Sequence, residues 1–463
     1  MRKTILAISS LVMMIVILAS CNSDDNLQSA ATPTPLPPTT ANASPSPANN
    51  NDTTGTGQNT TSGDQQNTQA GEAQPEQTRS NFISYQGLYD NTLTGHLPVR
   101  RNRVSIGDNH TLIIDDYGTV WGMGSDSRGQ LATIDRSVHM ERDYEPYPVE
   151  ILHNVALVRA SGRSSFAVTN GGALWVISHT FPALLPPENA GGRVQFRYTT
   201  YPTRIMDNVV DIQIGGSHIL ILTSNGDVWA GGSNASGQIE APATPGNTRA
   251  VEFRMVMENV VYIAAGPMSS LAITESGDIY AWGGVLGHGV SASGEPVPRM
   301  RLDGLGDLTR VSFQEHPVIA AVRADGAAVT VHNTEIVAAT EDVLTFEPIV
   351  WQWDDFSLLK YIVTLGGINH RNTFMLFDDG RLQGSGSNTY GLVNPNEGVG
   401  RRYRIDSPQT IMENVAYFAT GQSHAVAIDF NGQVWVWGAN NYGQLGLGHT
   451  SDLEGFSMLS LNS

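Results

Sequence analysis

Histidine is the residue type whose recurrence suggests chemistry. His110, His218, His316, His370 and His424 each follow a Gly or Phe by three or four residues, at Gly107, Gly215, Phe313, Gly366 and Gly421. A ring of imidazoles at equivalent repeat positions could hold a metal ion or an anion. Two further copies, after Gly162 and Gly266, carry Ser165 and Ser269 instead. A hydroxyl suits a hydrogen bond and not a metal site, so the histidines read as structural residues of the repeat. The one cysteine, Cys21, allows neither an internal disulfide nor a thiolate metal site. No metal and no other cofactor is expected. No phosphate-cradling Gly loop ends in Lys, no Ser sits in a nucleophile elbow, and no carboxylate pair stands apart from turn acids. The chain does not read as an enzyme.

Aromatic residues give the candidate ligand contacts. Six of eight Trp (Trp121, Trp175, Trp229, Trp282, Trp435, Trp437) recur in phase and read as packing. Trp351 and Trp353 fall outside the pattern, beside Asp354 and Asp355. They are either a binding hot spot or filling for a degenerate repeat. Two off-pattern loops offer Phe181 and Tyr198, and Tyr144 and Tyr147. Loops on a rigid scaffold are where binding residues concentrate, and Tyr supplies contact area at low entropic cost.

Such residues need a scaffold, and the sequence repeats to supply one. Gly118, Gly171, Gly226, Gly277, Gly326, Gly380 and Gly432 each end a turn dipeptide, in steps of 53, 55, 51, 49, 54 and 52 residues. Short apolar, β-branched runs flank each one, as in Ala425–Asp429 and Gln433–Trp437. Asn-Gly and Asp-Gly suit the positive φ angles of tight hairpins. A Gly-Gln-Leu type turn follows at 129, 237, 391 and 443, then Pro and a further strand. Each unit therefore has about four short strands in roughly fifty residues. Seven units fit an all-β, seven-bladed β-propeller, whose closure removes most exposed sheet edge. For the last blade, residues 456–461 or the N-terminal segment 82–103 could supply the outer strand; the N-terminal segment is favoured.

Copies such as Gly421 to Gly448 resemble the repeat of the regulator-of-chromosome-condensation family. The likeness covers residues 104–450 and is weakest in copy five, residues 308–356. The resemblance implies seven blades. It also implies two functional expectations. One is a non-catalytic binding module, since the family includes exported bacterial propellers that inhibit β-lactamases. The other is nucleotide exchange on a small GTPase, the activity of the family's namesake. A third alternative is a propeller-based cell-envelope enzyme.

The N-terminus argues for export. Arg2 and Lys3 precede an apolar run from Ile5 to Leu18, then Leu18-Ala19-Ser20-Cys21. These four residues resemble the lipobox of bacterial lipoproteins, which implies lipid attachment at Cys21. Residues 1–21 thus read as a lipoprotein signal peptide. Residues 22–80, rich in Ser, Thr, Asn, Gln and Pro, read as a disordered tether. Residues 81–463 form the propeller. That domain carries −15 of the formal net charge of −18. It would repel phosphate backbones, which argues against nucleic acid. The expected partners are a membrane, through the lipid, and an extracellular protein or glycan. The expected place is the outer side of the cell membrane, with the protein as a monomer.

Overall fold

In a computed structural model, the residues described are 102–132, 143–178, 202–239, 251–284, 299–312, 319–331, 336–340, 342–351, 359–365, 372–397 and 403–461. They form a seven-bladed β-propeller. Four antiparallel strands make each blade, consecutive in sequence in every blade but the fifth. Blade 1 runs inside to outside as Val104–Ile106, His110–Ile114, Val120–Ser125 and Tyr144–Leu152. Blades 2 to 6 span 155–206, 209–257, 260–303, 308–351 and 359–412. Blade 7 comprises Val415–Thr420, His424–Asp429, Val434–Gly438 and Leu453–Leu459. The only helical element among the described residues is a 3-10 turn at Pro395–Glu397.

Among the described residues the core forms seven apolar clusters, each straddling two neighbouring blades. Blade 7 and blade 1, for example, share Val426, Ile428, Val436 and Leu445 with Val104, Ile113 and Met123. The second strand of a blade is covered on both faces, which is why its apolar run is continuous rather than alternating. Ile219-Leu220-Ile221-Leu222 is entirely buried. Each such side chain contributes on the order of 1.5–3 kcal/mol relative to exposure.

The hairpin between the second and third strands is identical in kind in all seven blades. In blade 1 the Gly118 N–H donates to the Asp115 carbonyl (3.2 Å), and the Asp115 N–H donates to the Thr119 carbonyl (3.0 Å). This is a three-residue loop whose last residue alone is left-handed. Gly118, Gly226, Gly277, Gly326, Gly380 and Gly432 all have φ between 81° and 87°. The residue before each Gly is not left-handed, so Tyr117 or Ser276 serves as well as Asn. Blade 2 corrects the sequence reading. Its left-handed residue is Gly172 (φ 78°), bonded to the Thr169 carbonyl, and Gly171 is merely a loop residue.

Two further expectations are corrected. Leu453–Leu459 pairs with Val434–Gly438 and completes blade 7, so no N-terminal segment is needed as its outer strand. The weak fifth copy has all four strands, but its third-to-outer connection is diverted. There Val343–Phe346 pairs in parallel with the outer strand of blade 4, Met300–Asp303, and Ile336–Ala339 adds a sixth strand to that sheet. That hairpin stands where other blades have the Gly-Gln-Leu turn. The expectations for residues 1–101, including Cys21, lie outside the described residues.

Candidate binding face

Antiparallel order sorts the connections onto two faces. Hairpins of four or five residues and the blade-to-blade connections lie on one, the turn face. The first-to-second and third-to-outer connections lie on the other, the loop face, where the latter run to 14–24 residues.

The histidines lie beneath the loop face, between blades. His110 Nε2 meets Ser165 Oγ of blade 2 at 2.8 Å, and His218 Nε2 meets Ser270 Oγ of blade 4 at 2.9 Å. His424 Nε2 meets Thr111 Oγ1 of blade 1 at 3.1 Å. Thr111 in turn donates to the Gln444 carbonyl (2.7 Å), and Ser270 to that of Gln238 (2.8 Å). A hydroxyl that donates onward must accept from the imidazole. His424 and His218 are therefore protonated at Nε2. Their Nδ1 atoms, like that of His110, are buried without a hydrogen-bond partner. A second proton there would have no acceptor. Burial accordingly lowers the His110 pKa to about 3, helped by nearby His424, and those of His218 and His424 to about 4. The Gly three residues earlier is required sterically: a Cβ on Gly107 or Gly215 would enter the ring of His110 or His218.

Counting from the turn Gly fixes the phase. His110, His218, Ser269 and His424 stand eight residues before it, as do Ser164 in blade 2 and Asn372 in blade 6. The sequence alignment of Ser165 with the histidines was therefore one residue out. Ser165 is instead the hydroxyl partner, equivalent to Thr111 and Ser270. Asn372 exchanges hydrogen bonds with Ser387 of its own blade. His316 and His370 are ten residues before their turn Gly and lie outside the described residues. Among the described residues, no group of three or more His, Cys, Asp or Glu could hold a metal ion.

Four of the recurring tryptophans form two pairs, while the Trp175 indole N–H is buried without a partner. Trp282 and Trp437 are fully buried and donate to the Gln238 and Leu392 carbonyls in the loop of the preceding blade, at 2.9 and 3.2 Å. Trp121 and Trp435 are half-buried and donate to the turn acids Asp115 and Asp429.

Tyr144 and Tyr147 begin the outer strand of blade 1. The register slips between Gly124↔Glu145 and Gly122↔Val149, leaving Pro146, Tyr147 and Pro148 as a bulge. Flanking prolines cannot donate to the ladder, and the bulge turns Tyr147 outward. The Gly448 N–H of blade 7 donates to the free Pro146 carbonyl (2.8 Å), and the Tyr147 ring lies against Gly448. Tyr147 is 58 % exposed and Tyr144 half-buried. Trp351 ends the outer strand of blade 5, far around the ring from these tyrosines. Trp353, Phe181 and Tyr198 lie outside the described residues.

Sequence reasoning missed Tyr442 (43 % exposed) and Tyr390 (40 %), on the loop face of blades 7 and 6. Both precede the loop Gly in Asn440-Asn441-Tyr442-Gly443 and Asn388-Thr389-Tyr390-Gly391, where blades 1 and 3 have Arg128 and Ser236. An aromatic residue at a turn position that packing does not demand was the available signal. A second missed mark is Asn154, Asn208, Asn259 and Asn414, each left-handed (φ 58–65°) and each followed by Val where one blade passes to the next.

With this geometry in hand, similarity to known proteins can be placed on it. The Regulator of chromosome condensation (RCC1) repeat matches residues 102–130, 209–238 and 415–444. The chain carries RCC1 repeats. The three matches fall on blades 1, 3 and 7, the blades that hold His110, His218 and His424. The E3 ubiquitin-protein ligase HERC2 of Mus musculus is 27 % identical over 75 % of this chain, which spans only 7 % of that protein. The Ultraviolet-B receptor UVR8 of Arabidopsis thaliana is 27 % identical over 75 % of this chain and 79 % of the receptor. The crystal structure of human WBSCR16 shares the fold at 19 % identity, with a TM-score of 0.55 over 74 % of this chain and 94 % of that one.

Proposed function

We propose that the propeller is a non-catalytic binding module, held at the outer side of a cell membrane by lipid on Cys21, with the loop face as its contact surface. The observation that carries this reading is the exposure of Tyr147, at the bulge in the outer strand of blade 1, and of Tyr442 and Tyr390, on loops of the next two blades around the ring. Rigid, well-supported tyrosines are efficient contact residues for a protein or a glycan. The lipobox-like Leu18-Ala19-Ser20-Cys21 supports the location. Nucleotide exchange on a GTPase is the second reading, favoured by the repeats alone. Fold likeness does not carry activity across, and the expected export would take the domain away from cytosolic GTPases.

The test uses the full chain in a bacterial host. Acylation and membrane fractionation are compared between wild type and Cys21→Ala. Retention on purified envelope glycan and on secreted proteins is compared for Tyr147→Ala/Tyr442→Ala and for Tyr117→Ala on the opposite face. The expected result is acylation that depends on Cys21 and retention that falls tenfold or more only in the double variant. Retention that responds equally to Tyr117→Ala would move the contact surface away from the loop face.

A further inference from the structure

The two faces differ in charge as sharply as in loop length. The hairpin tips of the turn face carry a net −7, and the described connections from one blade to the next a net −4. The described parts of the loop-face connections of the other six blades carry −2. The blade 5 connection instead runs along the outer strand of blade 4 and ends with Phe346 against Gly304, at the turn face. Among the described residues, the negative charge of the connections is thus concentrated on the face away from Tyr147, Tyr390 and Tyr442. Fields from charges collected on one surface add and steer oppositely charged partners.

The turn face also has a recess with an apolar component. Between blades 3 and 4, Met255, Met257 and Tyr280 line a groove together with Glu258, Glu275 and Asp278. Met255, Glu258 and Glu275 are exposed. Arg299 closes one side, its guanidinium 6.0 Å from the Tyr280 ring and donating to the Val256 carbonyl at 3.3 Å. Three acids against one base leave the groove negative. Methylene-lined walls with acids at the rim fit the stem and head of a long cationic side chain.

We infer that the turn face is a second interaction surface that takes a cationic polypeptide segment, with the blade 3–4 groove seating one of its Lys or Arg side chains. This surface is independent of the loop-face reading, and either can fail alone. A nucleic acid or an anionic membrane is repelled by the same charge.

The test measures fluorescence anisotropy of labelled octa-arginine and octa-glutamate with the full chain, at 25 and 300 mM salt. Octa-arginine is expected to bind at low salt and octa-glutamate not to bind. Glu258→Gln/Glu275→Gln/Asp278→Asn should weaken octa-arginine at least tenfold. Asp108→Asn/Asp143→Asn/Glu397→Gln, an equal change of charge on exposed positions of the loop face, should weaken it less than threefold. Glu258→Lys and Glu275→Lys singly should each reproduce part of the loss, which guards against misfolding of the triple variant. Equal weakening by both triple variants would mean bulk charge and overturn the inference, as would failure of octa-arginine to bind. Displacement of octa-arginine by 1 mM calcium, but not by sodium at matched ionic strength, would reassign the groove to a metal cation and also overturn it.

Discussion

The seam between blades 7 and 1 and the seam between blades 5 and 6 are held in opposite ways. No peptide bond runs directly from blade 7 to blade 1, yet side chains cross-link them repeatedly. His424, Thr111 and the Gln444 carbonyl form a buried relay, and the Gly448 N–H clasps the Pro146 carbonyl. Tyr417 of blade 7 lies under Arg103 of blade 1, the guanidinium 5.7 Å from the ring. Blades 5 and 6 are joined by the chain itself, through residues 352–358. Their shared cluster is purely apolar, with Ala320, Val322 and Ala328 against Leu359, Ile362, Met375 and Phe377. The position eight residues before Gly326 is Val318, which cannot donate to a neighbouring hydroxyl. Chain continuity alone does not decide which device is used, because the 1–2 and 3–4 seams, joined by the chain, carry the same His–hydroxyl link. A blade with a His at this position is tied to its neighbour by a directional hydrogen bond; where the sequence has Val318 instead, the 5–6 cluster is apolar.

Acid should separate the two seams most. A histidine whose pKa is lowered by folding contributes stability that is complete above its unfolded value of 6.5 and is lost as pH falls toward the folded value. At pH 4.5 each of His110, His218 and His424 should therefore have lost about 2–3 kcal/mol. Thermal melting and amide exchange between pH 7 and 4.5 should show protection lost at the 7–1 seam before the 5–6 seam. His110→Gln/His218→Gln/His424→Gln should flatten the pH slope; an unchanged slope would refute the assignment.

The apolar seam should respond to lost volume instead. Met375→Ala is expected to cost about 2–5 kcal/mol in denaturant melts, with no added pH dependence. A pH-dependent loss would show that ionisable groups also hold this seam.

The smallest effect tests the relay itself. Thr111→Val leaves the His424 donor and the Gln444 carbonyl unpaired and should cost about 1–3 kcal/mol. Thr373, the counterpart of Thr111 in blade 6, is half-buried, and Thr373→Val should stay within about 0.5 kcal/mol. Equal losses at both sites would mean that the hydroxyl matters for its own blade and not for the seam.

Much of this architecture was legible because its causes are local. A left-handed residue closes each three-residue hairpin, and Gly adopts that conformation at least cost. The apolar runs around each Gly are short and β-branched. These marks fixed the number of strands per unit and of units per chain. One slip, Gly171 for Gly172, came from two adjacent glycines that sequence cannot tell apart. Another, Ser165 for Ser164, came from counting three residues on from Gly162, where this blade has two.

The rest depended on which blade faces which. His424 and Thr111 are 313 residues apart, and only ring closure makes them neighbours. The closing strand of blade 7 and the blade 5 hairpin lent to blade 4 were likewise decided by competition for sheet edges, which no local signal records. Exposure of Tyr442 and Tyr390 follows from loop geometry on a finished scaffold. The total charge of the domain is a property of the sequence alone, because composition ignores arrangement. The concentration of the connections' negative charge on one face is a property of the fold, because strand direction assigns every connection to one side or the other.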